Sequence, residues 1–317
     1  MTSPEAGAAS CGPRAAVDVG TNSVRLLVVD AAGQRITREL TITRLGKDVD
    51  RTGHLDPAAL ARTLDTISRY REIWQDHGVT DRIRIAATSA IRDAADREAF
   101  FDGVRERTGV DAEVLSGEQE AALAFTGAAT AVDVTAPTAV IDVGGGSTEI
   151  VVGDADGHVL GGVSLQLGCV RLTERHLHDD PATPAQLDAA RATIAERLDE
   201  ADAALAVHGA RLADAATIVG VAGTATTLAA LHLGLDAYRE EAIHGTVVPA
   251  SVVTEWTRRL ATATARQRAA LGPVQPGRED VLHGGTLVLE SVLARYGFDA
   301  LVVSEADGLD GLAASLA

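Results

Sequence analysis

Two stretches of the chain carry the same pattern, an aspartate followed by a loop of glycines and hydroxyl residues. Residues 16–34 and 140–158 align without a gap, so that Asp18 falls on Asp142 and Ser23 on Ser147. Glycine lets backbone N–H groups approach a ligand, and successive N–H groups with nearby hydroxyls bind anions. The predicted phosphate-binding residues are Asp18, Gly20, Thr21, Asn22, Ser23, Gly144, Gly145, Gly146, Ser147 and Thr148.

Asp18 and Asp142 each end an apolar run that is typical of a buried strand. A carboxylate there can bind Mg²⁺ directly or through water, since Mg²⁺ takes only one or two carboxylates together with phosphate oxygens. The alternative is a pair of ordinary hairpins whose glycines serve the turns. The duplication runs through the loops themselves as well as the apolar pattern, which favours two facing domains that share a phosphate site.

A third motif, SGEQEA at residues 116–121, follows a short predicted strand and begins a helix. A carboxylate at such a corner can orient a water molecule for in-line attack on phosphorus, and Glu120 is the candidate general base. Capping of the helix by Ser116, with acidic residues in its first turn, is the alternative explanation. Next to two phosphate loops, we favour a catalytic role for Glu120 but not for Glu118.

Two further strand-to-helix corners carry candidate residues. In AATSAIRDA, residues 86–94, Arg92 offers a planar guanidinium to phosphate; a surface ion pair with Asp93 or Asp96 is the alternative. In GVAGTATTLAA, residues 220–230, Gly223 and Thr224 can bind phosphate, or the segment can simply form a tight turn.

Each half of the chain shows the order β-β-β-α-β-α-β-α, which resembles the actin-like ATPase clan of duplicated ribonuclease-H-like domains. The resemblance implies an α/β protein whose two mixed sheets face each other across a cleft. We expect a disordered tail at 1–13, one domain at 14–130 and a second at 131–317, with the last helix free to pack back on the first domain.

The net charge of −17 argues against general nucleic-acid binding, which needs a basic surface. No apolar run is long enough for a membrane span or a secretory signal, and the two cysteines form no disulfide scaffold. We therefore expect a soluble protein of the reducing cytoplasm, without membrane partners.

An arginine-rich segment remains, and it is either a track for a polyanion or, as we favour, a solvated helix face: Arg258, Arg259, Arg266, Arg268 and Arg278.

Several motifs, in this order, resemble the Ppx/GppA phosphatase family of exopolyphosphatases and guanosine pentaphosphate phosphohydrolases: DVGTNSVRLLV, ATSAIRDA, GEQEA, DVGGGSTEIVVG, LGCVRLTE and GVAGTATTLAA. The resemblance implies that Glu120 is the catalytic base, that Asp142 and Glu149 hold a divalent cation, and that the protein forms a homodimer. Many members carry a further C-terminal helical domain. This chain looks like the short two-domain form, which suggests shorter polyphosphate chains as substrate.

Arg25 and Glu149 occupy equivalent positions beyond the two loops, and we expect Arg25 to face phosphate while Glu149 faces the metal. The leading hypothesis is a Mg²⁺-dependent exopolyphosphatase in which Glu120 activates water and Arg92 lies beside the terminal phosphate. Guanosine pentaphosphate hydrolysis, an ATP-dependent kinase or nucleotide switch, and a silent phosphate sensor are the alternatives.

Overall fold

The computed structural model describes residues 12–129, 131–154 and 156–317. The predicted tail at 1–13 lies almost entirely outside the described residues. Among the residues that are described, no helix is both long enough and apolar enough to cross a bilayer.

The first half of the chain forms a five-stranded sheet in the order β3-β2-β1-β4-β5. The strand β1 is antiparallel to β2 and parallel to β4, so the sheet is mixed. Its elements are β1 (Arg14–Val19), β2 (Ser23–Val29), β3 (Arg35–Ile42), α1 (Val49–Thr52), α2 (Pro57–Asp76), β4 (Ile83–Ala87), α3 (Ser89–Asp93), α4 (Glu98–Thr108), β5 (Ala112–Val114) and α5 (Gly117–Ala128).

The second half forms a six-stranded sheet in the order β10-β11-β9-β6-β7-β8. The arrangement β8-β7-β6-β9-β11 repeats that of the first sheet, and β10 is an added antiparallel edge strand. Its elements are β6 (Thr138–Val143), β7 (Thr148–Gly153), β8 (Val159–Leu165), α6 (Cys169–His176), α7 (Pro184–Val207), β9 (Thr217–Val221), α8 (Ala222–His232), α9 (Glu240–Ile243), β10 (Val247–Pro249), α10 (Ala250–Thr262), α11 (Ala265–Ala269), α12 (Leu282–Tyr296), β11 (Ala300–Val303) and α13 (Gly308–Ala314).

The central strands β1 and β6 are almost wholly buried, as strands covered on both faces must be. One aliphatic core lies between the first sheet and α2 and α4, and another between the second sheet and α7, α8 and α12. Because these cores hold the strands in place, the β1–β2 loop and the β6–β7 loop occupy equivalent ends of their two sheets. The predicted α/β fold with two mixed sheets facing a cleft is confirmed.

Helices α5 and α13 cross each other between the two sheets. The apolar face of α5, including Ala121 and Phe125, packs on strands of the second sheet, whereas α13 packs on β1 and β2 of the first. The two helices approach closely because Gly127 and Gly311 have no side chains: a Cβ on Gly127 would lie 1.8 Å from the carbonyl oxygen of Asp307. The helix that carries Glu120 is therefore held by both halves.

The segment after β10 forms two helices rather than one. The helix α10 ends at Thr262 because Ala263 is extended, and Thr264 caps α11 by accepting from the backbone N–H of Gln267. The helix α6 is only eight residues long, which is shorter than the window of about 11 residues over which a helical period is recognised in a sequence.

Candidate active site

The two glycine loops, between β1 and β2 and between β6 and β7, meet face to face. A Cβ on Gly145 would lie 2.9 Å from Cβ of Thr21, and one on Gly146 would lie 2.8 Å from Oγ1 of Thr21 and 2.5 Å from Oγ of Ser89. Only glycine allows this approach. The loops form the floor of a single cleft of about 90 Å³.

The cleft brings together most of the predicted site residues. They are Asp18, Gly20, Thr21, Asn22, Ser23, Arg25, Glu120, Asp142, Gly144, Gly145, Gly146, Ser147, Glu149, Gly223 and Thr224. Thr88, Cys169, Ala222 and Arg278, which were not predicted as site residues, also line it.

Glu120 lies at the N-terminal end of α5, where its side chain is 18% exposed. Burial, followed by the nearby charges of Asp18 and Asp142, raises the pKa of Glu120 to about 8 against the opposing effect of Arg92. The helix cap explains its position: Ser116 accepts from the N–H of Gln119 at 3.2 Å, and Gln119 accepts from the N–H of Ser116 at 2.8 Å. Ser116 therefore caps the helix, and Glu120 of the same helical turn lies in the cleft, so the two explanations do not exclude each other.

Arg92 contacts the proposed base and does not line the cleft. Its Nη1 donates to Oε2 of Glu120 at 3.2 Å and to the carbonyl oxygen of Leu115 at 2.9 Å. The alternative of a surface ion pair with Asp93 or Asp96 is wrong. Arg92 orients Glu120 from behind, so direct contact with phosphate, as expected from the sequence, is not what the geometry favours.

The second hairpin contributes two carboxylates that have no ion-pair partner among the described residues. Asp142 lies opposite Glu149 in the β6–β7 register. Burial, with the charge of Asp307 next, raises the pKa of Asp142 to about 7. Burial, followed by the charges of Glu120 and Asp142, also raises the pKa of Glu149 well above its usual range, although Oγ of Ser164 donates to it at 2.6 Å.

Arg25 lines the cleft but is held by two carboxylates. It donates to Asp18 across the β1–β2 hairpin and to Asp307, the buried N-cap of α13. Arg38 also donates to Asp307, at 3.3 Å. Burial alone would raise the pKa of Asp307, but the guanidinium groups of Arg25 and Arg38 outweigh it and hold the pKa below its usual value.

The helix α6 fixes the second loop against the first half of the chain. The buried Arg171 donates to the carbonyl oxygen of Gly146 at 2.7 Å and to Oδ2 of Asp93 at 2.6 Å, and it also pairs with Asp50. Arg175 donates to the same Asp50 at 2.6 Å. These contacts couple the position of the second glycine loop to residues that surround the first.

The β9–α8 corner points the N-terminus of α8 into the cleft. Ala222 adopts a left-handed conformation with φ 60°, and the side chain of Thr224 already donates to the carbonyl oxygen of Val143 at 3.3 Å. Gly223 leaves room for the guanidinium of Arg278, whose Nη1 lies 1.6 Å from where a Cβ would be. Arg278 has no ion-pair partner among the described residues, and its side chain reaches the cleft.

Two expectations need correction. Thr148 does not face the cleft, because its hydroxyl is fully buried and donates to the carbonyl oxygen of Leu167. The arginine-rich segment is neither one track nor one solvated face. Arg259 stacks on Trp256 at 3.9 Å from the ring centroid, Arg268 is 2% exposed and binds carbonyl oxygens and Asp180, and Arg278 enters the cleft.

A separate group of possible metal ligands lies at the β7–β8 turn, where atoms of Asp154, Asp156 and His158 are within 4.8 Å of one another. Asp154 accepts from the backbone N–H groups of Asp156 and His158, both at 2.9 Å. These bonds are those of an ordinary turn. The group is exposed and does not line the cleft.

The residues missed by sequence reasoning carried weak signals. Thr88 ends a strand beside a motif that was singled out, and Arg278 was noted only for its charge. Asp307 follows the strand β11 in the segment VVSEADGLDG, whose residue types by themselves indicate no partner for it. Asp307 pairs with Arg25, which lies near the other end of the chain, and no local sequence pattern indicates this pairing.

Comparison with known proteins places these features in a family. The sequence model of the Ppx/GppA phosphatase family matches residues 26–313. Exopolyphosphatase 2 of Mycobacterium tuberculosis is 44% identical over 320 residues, covering 96% of this chain and 98% of that protein. Guanosine-5'-triphosphate,3'-diphosphate pyrophosphatase of Vibrio atlanticus is 33% identical over 58% of this chain and 38% of its own length.

Among solved structures, the crystal structure of an exopolyphosphatase-like protein superposes with a TM-score of 0.89 at 37% identity, covering 95% of this chain and 97% of that one. The similarity therefore extends over nearly the whole length of both chains. The chain therefore belongs to the Ppx/GppA phosphatase family.

Proposed function

We propose that the protein is an exopolyphosphatase that releases orthophosphate from the end of inorganic polyphosphate. The observation that carries the proposal is the placement of Glu120 in the same cleft as both glycine loops. The loops supply donors for one phosphoryl group, and Glu120 supplies a base within the same space. The full-length similarity to a protein named exopolyphosphatase 2 supports this substrate over others.

In the proposed reaction, backbone N–H groups of the two loops and the hydroxyls of Thr21 and Ser23 bind the terminal phosphate. Glu120 accepts a proton from a water molecule, and the water oxygen attacks phosphorus in line with the bridging oxygen that leaves. Arg92 holds the Glu120 carboxylate by its 3.2 Å contact. Arg278 stabilises negative charge on the phosphate oxygens, since its guanidinium faces the cleft without a carboxylate partner among the described residues.

The donor set fits a divalent cation. Asp142 and Glu149 lie opposite each other in the hairpin and have no ion-pair partners among the described residues, and burial, followed by nearby acidic charges, raises the pKa of both. Mg²⁺ is the cation we propose there, since it binds through one or two carboxylates and phosphate oxygens. When bound, such a cation neutralises charge on the transferring and leaving oxygens. The turn at Asp154 is not part of this site.

The direct test is phosphate release from polyphosphate of graded lengths, guanosine pentaphosphate and ATP, each with and without Mg²⁺. We expect turnover of polyphosphate that requires the cation. Turnover of guanosine pentaphosphate alone would replace the proposal with the activity that the name of the Vibrio relative describes. Phosphate transfer from ATP to an acceptor would indicate a kinase, and binding without turnover a sensor.

Chain-length preference, cytoplasmic location and the homodimer stay predictions. Light scattering after size-exclusion chromatography tests the dimer. The acidic surface, with a net charge of −17, supports the expectation that nucleic acid is not a partner.

A further inference from the structure

A second pocket, of about 180 Å³, opens beside the first glycine loop. It shares Thr21 and Asn22 with the cleft. Its other walls come from the loop after β3, which carries Arg44 and Lys47, from α6, and from the segment before α12. These walls are Arg44, Lys47, Val170, Thr173, Glu174, Asp280 and Val281.

Both walls of this pocket are attached to the glycine loops by backbone hydrogen bonds. The N–H of Arg44 donates to the carbonyl oxygen of Asn22 at 3.0 Å, and the N–H of Gly46 donates to that of Thr21 at 2.8 Å. On the opposite side, the N–H of Val170 donates to the carbonyl oxygen of Gly145 at 2.9 Å. The pocket therefore continues directly from the place where the two loops meet.

The charges in the pocket favour an anion. Lys47 is the only lysine in the sequence, it is exposed, and it has no ion-pair partner among the described residues. Each of the two carboxylates of the lining has one contact: Glu174 accepts from the N–H of Asp48 at 3.0 Å, and Oδ2 of Asp280 pairs with Arg44 at 3.0 Å, while Oδ1 of Asp280 has no hydrogen-bond partner among the described residues. The hydroxyl of Thr173 is buried without a hydrogen-bond partner within the described part of the chain.

The other extension of the cleft is less suited to a polyanion. This pocket, on the side of β3, is lined by four carboxylates, those of Glu39, Glu240, Glu305 and Asp307. Its three arginines are Arg25, Arg38 and Arg278. Arg38 is held by Asp310 at 2.9 Å and by Asp307 at 3.3 Å, and Arg25 is held by Asp18 and Asp307, so the four carboxylates outnumber the guanidinium groups and only Arg278 has no ion-pair partner among the described residues. A chain of phosphates that left the cleft on this side would meet a surplus of negative charge.

We propose that the pocket beside Lys47 is a subsite for the phosphate groups that follow the terminal one in polyphosphate. The inference rests on the proposed function and adds to it the path of the substrate. Lys47 supplies a free ammonium group to the chain, Arg44 can exchange Asp280 for a phosphate oxygen, and the hydroxyl of Thr173 donates a hydrogen bond. The contribution of Lys47 then grows with the number of phosphates that the substrate carries.

The test compares Lys47→Gln with the wild type on pyrophosphate, tripolyphosphate and chains several tens of phosphates long. Lys47→Arg keeps the charge. Arg51→Gln is the matched control, since it also removes one nearby cation, but from a side chain that is 73% exposed and outside the pocket. Pyrophosphate is measured both as substrate and as inhibitor.

For Lys47→Gln, kcat/KM on long chains should fall about threefold to fivefold further than the effect on pyrophosphate, in line with one exposed charge contact. The loss should appear in KM, diminish at high salt, and be largely restored by Lys47→Arg. Arg51→Gln should behave like the wild type. A loss that is equal for all chain lengths, no loss, or an equal loss in Arg51→Gln would overturn the subsite.

Failure of the proposed function gives a different result. If the wild type hydrolyses no polyphosphate, the proposed activity is wrong, whatever Lys47 does. The subsite is then decided by calorimetric binding of long-chain polyphosphate. Weaker binding to Lys47→Gln than to both the wild type and Arg51→Gln supports it, and equal binding rejects it.

Discussion

Arg25 lies directly across the β1–β2 hairpin from Asp18, and its Nε and Nη2 donate to Oδ2 of that aspartate at 3.0 and 2.6 Å. In the second hairpin the equivalent pair is Asp142 and Glu149, which are both acids. The duplicated fold thus presents one neutralised pair and one pair with surplus negative charge to the same cleft. A bound cation would remove this surplus, because it supplies the positive charge that Arg25 supplies in the first hairpin.

Asp142→Asn and Glu149→Gln should therefore each weaken Mg²⁺ binding by at least about tenfold, since each removes one of the two unpaired carboxylates. Isothermal titration calorimetry on the phosphate-free protein measures this. Asp154→Asn, in the exposed turn at the other end of β7, is the control and should bind Mg²⁺ as the wild type does. Loss of binding in the control alone would move the metal site to that turn.

Mg²⁺ affinity should rise as the pH increases from 6 to 8. The pKa of Asp142 is raised to about 7, so below that pH the carboxylate holds a proton that the cation must displace. Folding without metal has the opposite pH dependence: the raised pKa of Asp142 contributes stability that is fully present at low pH, and this contribution is lost as the pH rises through 7. Titrations in buffers of different ionisation enthalpy should show proton release on binding. An affinity independent of pH would contradict the assignment.

Glu120→Gln should lower kcat by about 10² to 10⁴ with little change in KM, because the amide keeps the shape but cannot accept the proton of water. Glu118→Gln is the matched control: it lies two residues earlier in the same helical turn, is exposed, and does not line the cleft. Steady-state phosphate release from polyphosphate measures both. Full turnover in Glu120→Gln, or an equal loss of turnover in Glu118→Gln, would show that Glu120 is not the general base.

Arg92→Gln should move the acid limb of the kcat/KM profile to higher pH. Its guanidinium opposes the burial that raises the pKa of Glu120 to about 8, so its removal raises that pKa further. The base is then protonated over more of the neutral range, and activity at pH 7 falls more than activity at pH 9. If Arg92 instead bound phosphate, KM would rise equally at all pH values and the limb would stay in place.

The sequence predicted the parts of the site that depend on local patterns. The two loops and the cap at Ser116 each follow from residue types at short spacing, and the structure confirms the cap. The duplication also indicated that the loops would face each other, because equivalent hairpins in paired domains occupy equivalent edges of their sheets.

Contacts between distant residues could not be predicted in this way. Arg171 reaches Asp93 from a helix of only eight residues, and Asp307 reaches Arg25 across nearly the whole chain. Arg92 and Glu120 lie at two strand-to-helix corners of the first half, and neither motif indicates the other as its partner. The contacts of Arg171 and Asp307 depend on how the two halves meet, and the residues at that interface have no shared sequence signal.

The crossing of α5 and α13 provides a test of how these two halves are held. Alanine at Gly127 should destabilise the protein by about 2 kcal/mol, although alanine normally favours a helix, because its Cβ would lie 1.8 Å from the carbonyl oxygen of Asp307. Backbone atoms cannot move aside as a flexible side chain can, so α13 must shift and carry Asp307 away from Arg25.

Gly162→Ala is the control, since the nearest atom to its added Cβ is 3.6 Å away, an ordinary contact. Thermal and urea unfolding should show a loss of stability for Gly127→Ala and little change for Gly162→Ala. Polyphosphate hydrolysis should fall only in Gly127→Ala, because the cleft loses the fixed position of Arg25 while Glu120 keeps its place in α5. Normal stability and activity in Gly127→Ala would mean that the two helices can separate enough to accept a Cβ that would otherwise lie 1.8 Å from the carbonyl oxygen of Asp307.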